Sequence, residues 1–446
     1  MATDLSGFEV TASNAEAAAA LGRGIKGFTG WSIDAVAHLD EAMAKDPDCV
    51  MASAVKGLIL VGGRSDNYKG VVDSLLAAAQ RGAGNANPRE KLYVKALEAG
   101  AAGRPFEAAT VYEAILAEHP TDLLAHRLIQ QELFWTGESK WMQDTAERAA
   151  PAWNKEHSDY SGFLSVRSFS NEEGGDYETA ERCGREAVEI DPRDCWGTHA
   201  VAHVLVMQGR IDDGVDWLEP LTGNWEGSNQ IVHHLWWHLA LFLLERGDHA
   251  RILDLLDTKI RNPDSPLVQA VPDAYIDLQN VAALLMRLEL RGVDIGNRWS
   301  TIADICAERI GNNASPFTNA HAAMVLAATD RFAEADQLVA AMRTFVAGDT
   351  GTLGPATRIA AIPAAEASIA HRKGEHEAVL SALLPARRNL WQMGGSHAQR
   401  DVFWQLLVDS AVKLGRTDLA HQLLDEIAGI GFERVGQRTL YGAAAA

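Results

Sequence analysis

Apolar residues recur at intervals of three and four along almost the whole chain, and β-branched runs with two-residue alternation are scarce. That period belongs to helices buried along one face. Short polar stretches cut the helices at regular distances. Gly103-Arg-Pro-Phe-Glu-Ala108, Gly175-Asp-Tyr-Glu-Thr-Ala180, Asp330-Arg-Phe-Ala-Glu-Ala335 and Gly415-Arg-Thr-Asp-Leu-Ala420 each set a turn residue five places before an alanine. Related turns fall at Gly30, Gly63, Gly137, Gly209, Gly247, Gly292 and Gly374. Gly103 to Gly137 and Gly175 to Gly209 both span 34 residues, and the other gaps run from 33 to 45.

Each feature has a physical reason. Glycine permits the backbone angles that end a first helix. The small alanine lets the two helices of a pair approach. Pro47, Pro120 and Pro192, each seventeen residues after a turn glycine, end the second helix and open the next unit. A period of this length is the mark of stacked helix pairs. The expected fold is therefore all-α: an α-solenoid of about eleven tetratricopeptide-like helix pairs forming one curved superhelix over residues 1–446. Residues 1–15 and 437–446 are expected as terminal tails, and the longer connections 259–277 and 344–357 as lid loops. A third long connection spans 223–231.

Beyond the generic repeat, several blocks resemble the tetratricopeptide repeat protein 38 family. They are Thr198-His-Ala-Val-Ala-His-Val-Leu-Val-Met-Gln-Gly-Arg210, His234-Leu-Trp-Trp-His-Leu-Ala-Leu241, Leu288-Glu-Leu with Asn297-Arg-Trp299, and Gly394-Gly-Ser-His-Ala-Gln-Arg-Asp-Val-Phe403. The resemblance spans most of the chain. It implies an α-solenoid, and it leaves the biochemical activity undefined.

Composition narrows the partners. Of 446 residues, 47% are hydrophobic, and 60 acidic against 40 basic residues give a net charge of −20. Such a surface repels phosphate backbones and anionic lipid, so neither nucleic acid nor membrane is an expected partner. No apolar run approaches the length of a membrane helix, and the N-terminus has no basic stretch before an apolar run. Cys49, Cys183, Cys195 and Cys306 are scattered, without a C-x-x-C pair, and read as reduced thiols of a cytoplasmic protein.

In such arrays the first helix of each pair lines the concave side. Its exposed stripe falls roughly 13, 10, 9, 6, 3 and 2 places before the turn. Counting back from Gly209 gives Trp196, His199, His203, Val206 and Met207; from Gly247, His234, Trp237, His238 and Leu241; from Asp330, Phe317, His321 and Met324. Gly137 gives Arg127, Gln131 and Trp135, and Gly175 gives Phe169, Glu172 and Glu173. Six of eight first-helix histidines fall on this stripe, His371 being the sixth, where chance places roughly three. Ser396 and Gln399 have the spacing of a capping box. They put His397, Arg400 and Asp401 at a helix N-terminus, an end that suits an anion.

The main functional reading is a small-molecule-binding pocket with acid–base turnover of hydrolase or lyase type. His199, His203, His234 and His238 are its proton-transfer candidates, since imidazole titrates near neutrality. Glu172, Glu173 or Asp401 would orient a ring. Arg127 and Arg400 would hold a substrate carboxylate; Gln131, Trp196, Trp237, His321 and His397 complete the binding set. The two H-x-x-x-H pairs also have the spacing to hold a divalent ion. There is no H-E-x-x-H and no E-x-x-H on these helices, so no metal or other cofactor is assigned. The alternative is a non-catalytic peptide- or protein-binding scaffold with a protein partner in its groove. Gly22-Arg-Gly-Ile-Lys-Gly27 fits a dinucleotide fingerprint in letters, but it follows a helix and not a strand. Cys195 reads as a packing residue.

Overall fold

A computed structural model describes residues 2–349, 351–435 and 438–441. The chain is all-α, built of antiparallel helix pairs that pack on their neighbours. Among the described residues the only strands are Ala2–Thr3 and Glu9–Val10, two residues each, paired antiparallel with Ala2 opposite Val10. The stretch expected as an N-terminal tail thus holds a small hairpin, with Asp4 and Val10 buried.

The helix boundaries follow the local chemistry. Gly137 ends the Leu123–Thr136 helix at φ 76°, in the left-handed region that a side chain resists. Gly103, Gly175, Gly209, Gly247, Gly292, Gly374 and Gly415 share that conformation, as does Asp330. At Gly30 and Gly63 the left-handed residue is instead the next one, Trp31 at φ 61° and Arg64 at φ 51°. The alanines five places after the turn, Ala108, Ala180, Ala335 and Ala420, are all buried. Pro47, Pro120 and Pro192 each follow the residue that closes a second helix.

The chain divides into two compact units, and the division falls inside the Cys195–Met207 helix. The first unit comprises residues 1–201 and 223–229. Its pairs run from Ala15–Thr29 with Ala35–Lys45 to Tyr160–Glu173 with Tyr177–Ile190. Leu123, Ala149, Trp153, Phe163 and Val166 form one of its apolar clusters, with Trp153 stacked on Phe163 at 4.5 Å. Burying a side chain the size of Phe163 stabilises by roughly 1.5–3 kcal/mol. Asp122 caps the Leu123–Thr136 helix through the Ala125 amide at 3.2 Å, and it also accepts from Arg89 at 2.7 Å and Tyr93 at 2.8 Å. That buried anchor fixes where the helix starts, and hence which way its later residues face.

The second unit comprises 202–222 and 230 onward. Its first helices include Ile231–Arg246, Tyr275–Glu289, Pro316–Ala328 and His397–Lys413. The Ser396–Gln399 capping box is present as read from the sequence. The 259–277 connection carries the short Pro266–Ala270 helix, and Arg261 donates to the Pro272 carbonyl at 2.9 Å. In 344–357 the Phe332–Gly348 helix runs on to Gly348 and Leu353–Ala356 adds another turn; Thr350 lies outside the described residues. Of the stretch expected as a C-terminal tail, 438–441 pack into this unit, Tyr441 being buried, and the rest lies outside the described residues.

Candidate functional site

In the first unit the site is built on the Leu123–Thr136 helix. Arg127 and Gln130 are three apart, so they share a face. The Arg127 guanidinium lies 4.6 Å from the Trp31 ring and 4.6 Å from the Trp196 ring, and those two rings stack on each other at 4.8 Å. Phe169 packs on Trp196 at 4.7 Å, and His199 stacks on it at 4.5 Å. Gln130 locks the group. Its carbonyl oxygen accepts from Trp196 Nε1 at 2.8 Å and Arg127 Nη1 at 3.3 Å, while its amide donates to the Val166 carbonyl and Ser170.

Arg127 is 7% exposed. Its Nε has no hydrogen-bond partner, and among the described residues no carboxylate forms an ion pair with it. Burial pushes its guanidinium down to about 9, against a weaker opposing pull from the Asp194 carboxylate. Asp194 is itself raised by burial, and it is spent on the start of the Cys195–Met207 helix, accepting from the Trp196 and Gly197 amides. Trp31 is half-buried, with an Nε1 that lacks a partner. A bulky residue at positive φ is strained. The strain is held by the neighbouring loop, where the Asn229 amide donates to the Trp31 carbonyl at 2.8 Å.

The other predicted residues of this unit are placed differently. The Gln131 amide lies so close to Gly62 that a side chain at 62 would collide with it. Glu172 and Glu173 are buried at the end of the Tyr160–Glu173 helix. Cys195 is buried, its thiol pushed up to about 11 by burial, and it pairs with the Ser228 hydroxyl at 3.2 Å. It stays a thiol at neutral pH, as its reading as a packing residue requires.

In the second unit three of the predicted histidines meet. His203, His234 and His238 are all buried, with ring centroids 4.4 Å (203–238), 4.6 Å (234–238) and 6.4 Å (203–234) apart. His234 and His238 are four apart on the Ile231–Arg246 helix, so they share a face. Their Nε2 atoms lie 3.2 Å apart. His234 Nδ1 donates to Asn280 Oδ1 at 2.8 Å, and Trp237 stacks on the His234 ring at 5.1 Å. Burial drives all three imidazoles below their ordinary range, His234 to about 4. They are neutral at pH 7.

His321 is an aromatic-core histidine. Its Nδ1 donates to the Phe317 carbonyl at 2.9 Å, its ring packs edge-on against Phe317 and Phe403, and burial lowers it to about 4. His397 is lowered to about 3 by burial and by the Arg400 charge. Arg400 donates to the Gly395 carbonyl. Asp401 sits in a guanidinium cage. Arg438 bonds it in a fork at 2.8 and 2.7 Å, Gln405 donates at 2.5 Å, and Arg287 lies 3.6 Å away. Burial alone would raise its carboxyl, but Arg438 carries it below the usual range. The cavity bordered by Arg287, Asp401 and Arg438 is about 40 Å³, room for a water and not for an organic substrate.

Sequence reasoning missed Trp31, Gln130, Asn280, Arg287 and Arg438. Gln130 follows Arg127 at helical spacing, and Asp277, Gln279 and Asn280 interrupt an otherwise apolar helix, so both were detectable. Trp31 and Arg438 carried no signal, one in a turn and the other in an expected tail.

The fold defines an all-α protein built of helix pairs. No family model matches the chain. Among solved structures it is similar to the crystal structure of yeast Tom70, at 10% identity over 95% of this chain and 86% of that one, with a TM-score of 0.36. It is also similar to the structure of Naa15/Naa10 bound to HypK-THB, at 12% identity over 93% of this chain and 63% of that one, with a TM-score of 0.26. Likeness at that level says nothing of activity. Among the described residues no helix is long and apolar enough to cross a membrane.

Proposed function

We propose that this chain is a binding protein that takes a carboxylate-bearing organic ligand at Arg127, beside the stacked indoles of Trp31 and Trp196. One observation carries the reading: Arg127 is buried with no counterion among the described residues, while its orientation is fixed by Gln130 and two indoles. An unpaired buried charge costs several kcal/mol, and a ligand carboxylate bound through the planar fork relieves that cost. The strained Trp31 backbone beside it supports the same assignment. Flat rings suit an aromatic or acyl body behind the acid group.

The emphasis falls on recognition, not turnover. The groups that hold Arg127 are two indoles and the Gln130 amide. The protein-binding reading shares this chemistry, because a peptide's C-terminal carboxylate is an acid of the same class. The resemblance to the tetratricopeptide repeat protein 38 family, cytoplasmic residence and the candidate lids belong to this proposal too.

The test is calorimetry on the full chain with benzoate, phenylacetate and octanoate, each against its amide. A peptide with a free or amidated C-terminus serves as the protein-like probe. The acids should bind and the amides should not, and Arg127→Met should weaken binding by at least about 30-fold. Binding of acid and amide alike, or full binding by Arg127→Met, contradicts the assignment. Preference for the peptide acid over all three small acids would select the scaffold.

A further inference from the structure

We infer that His203, His234 and His238 form a three-histidine site for a divalent transition ion of the zinc class. Zinc holds imidazole nitrogens at 2.0–2.1 Å, so two ligands on a tetrahedral edge stand roughly 3.3 Å apart. His234 Nε2 and His238 Nε2 are 3.2 Å apart. One nitrogen from each of the three rings falls within 4.8 Å of the others. The ion would sit where a proton now bridges the 234 and 238 rings.

The tautomers are already arranged for this. His234 gives its Nδ1 hydrogen to Asn280 Oδ1, which turns the Nε2 lone pair toward His238. The hydrogen between the two Nε2 atoms therefore belongs to His238. On metal binding it moves to His238 Nδ1, both Nε2 lone pairs face the ion, and no proton need leave the protein. Asn280 is the outer partner that metal-binding histidines commonly keep, and Trp237 holds the His234 ring flat. An all-nitrogen set favours zinc, cobalt, nickel or copper over calcium or magnesium, which take oxygen. Three protein ligands leave a fourth position open.

The test uses the full chain without an affinity tag, stripped with chelator and titrated with Co²⁺ and then Zn²⁺. One equivalent should bind, Co²⁺ should develop the visible bands of tetrahedral coordination, and Zn²⁺ should raise the melting temperature. His234→Gln should abolish the bands. Asn280→Leu keeps every ligand and should weaken binding by roughly 10- to 100-fold. His371→Gln, in the more open His371–His376–Asp409 group, should bind as wild type does. Absence of stoichiometric binding by the wild-type chain overturns the site. So does binding that survives His234→Gln but disappears with His371→Gln. Because the wild-type titration decides first, misfolding of a variant cannot rescue the idea.

Discussion

Arg127 in the first unit and Arg438 in the second are both largely buried and both set against aromatic rings. Trp31 and Trp196 flank the one, Phe432 and Tyr441 the other. Arg438 holds Asp401 in a two-bond fork, and although burial opposes its charge, Asp401 keeps it above its ordinary value. Arg127 has a neutral amide and two indoles, and burial pulls it down to about 9. The pair separates two kinds of buried charge. The first has its counterion within the same unit. The second is positioned with equal care and has none among the described residues.

The comparison breaks most visibly at Arg438. Arg438→Met strips Asp401 of its fork and leaves a buried carboxylate, so stability in denaturant should fall by about 3–5 kcal/mol. A fall below about 1 kcal/mol would mean that the cage is not structural.

Acid should separate the units next. Unfolded imidazoles protonate near 6.5, whereas His126 in the first unit and His321 in the second are held down to about 4, mainly by burial. Between those values acid loads protons onto the unfolded chain, so both units lose stability as pH falls through that window. The second unit loses more, because His203, His234, His238 and His397 are lowered there as well, and below about 4 the carboxylates widen the gap. The lowered Asp401 carboxyl adds further loss in the second, while the raised Asp194 carboxyl favours the folded first unit on protonation. Hydrogen exchange followed against pH should show the second unit opening first; simultaneous opening would contradict this.

A smaller effect sharpens the picture at Gln130. Gln130→Met removes the acceptor of Trp196 Nε1 and should cost about 1–3 kcal/mol. If unfolding by denaturant shows no cost, Gln130 is not what locks the cluster.

The helical period, the turn glycines and the buried alanines made the fold legible before any coordinates, because helix pairs repeat the same local solution. The clusters were legible only along single helices. His234 and His238 announce a shared face by their spacing, and Arg127 by its place before Gly137. What they meet depends on residues distant in sequence. Trp31 reaches Arg127 from a strained turn, and Arg438 reaches Asp401 from the end of the chain; no periodic signal marks either. Asp401 shows the consequence. The sequence reading cast it as a carboxylate that orients an imidazole, and a guanidinium cage surrounds it.

The account rests on Arg127 being held for a ligand and not for the fold. The most direct measurement is the equilibrium unfolding of Arg127→Met against wild type, both refolded from denaturant so that nothing bound is carried over. The account predicts equal stability or a gain of up to about 4 kcal/mol, since an apolar chain replaces an unpaired buried charge. A loss of about 3 kcal/mol or more, matching Arg438→Met, would contradict it.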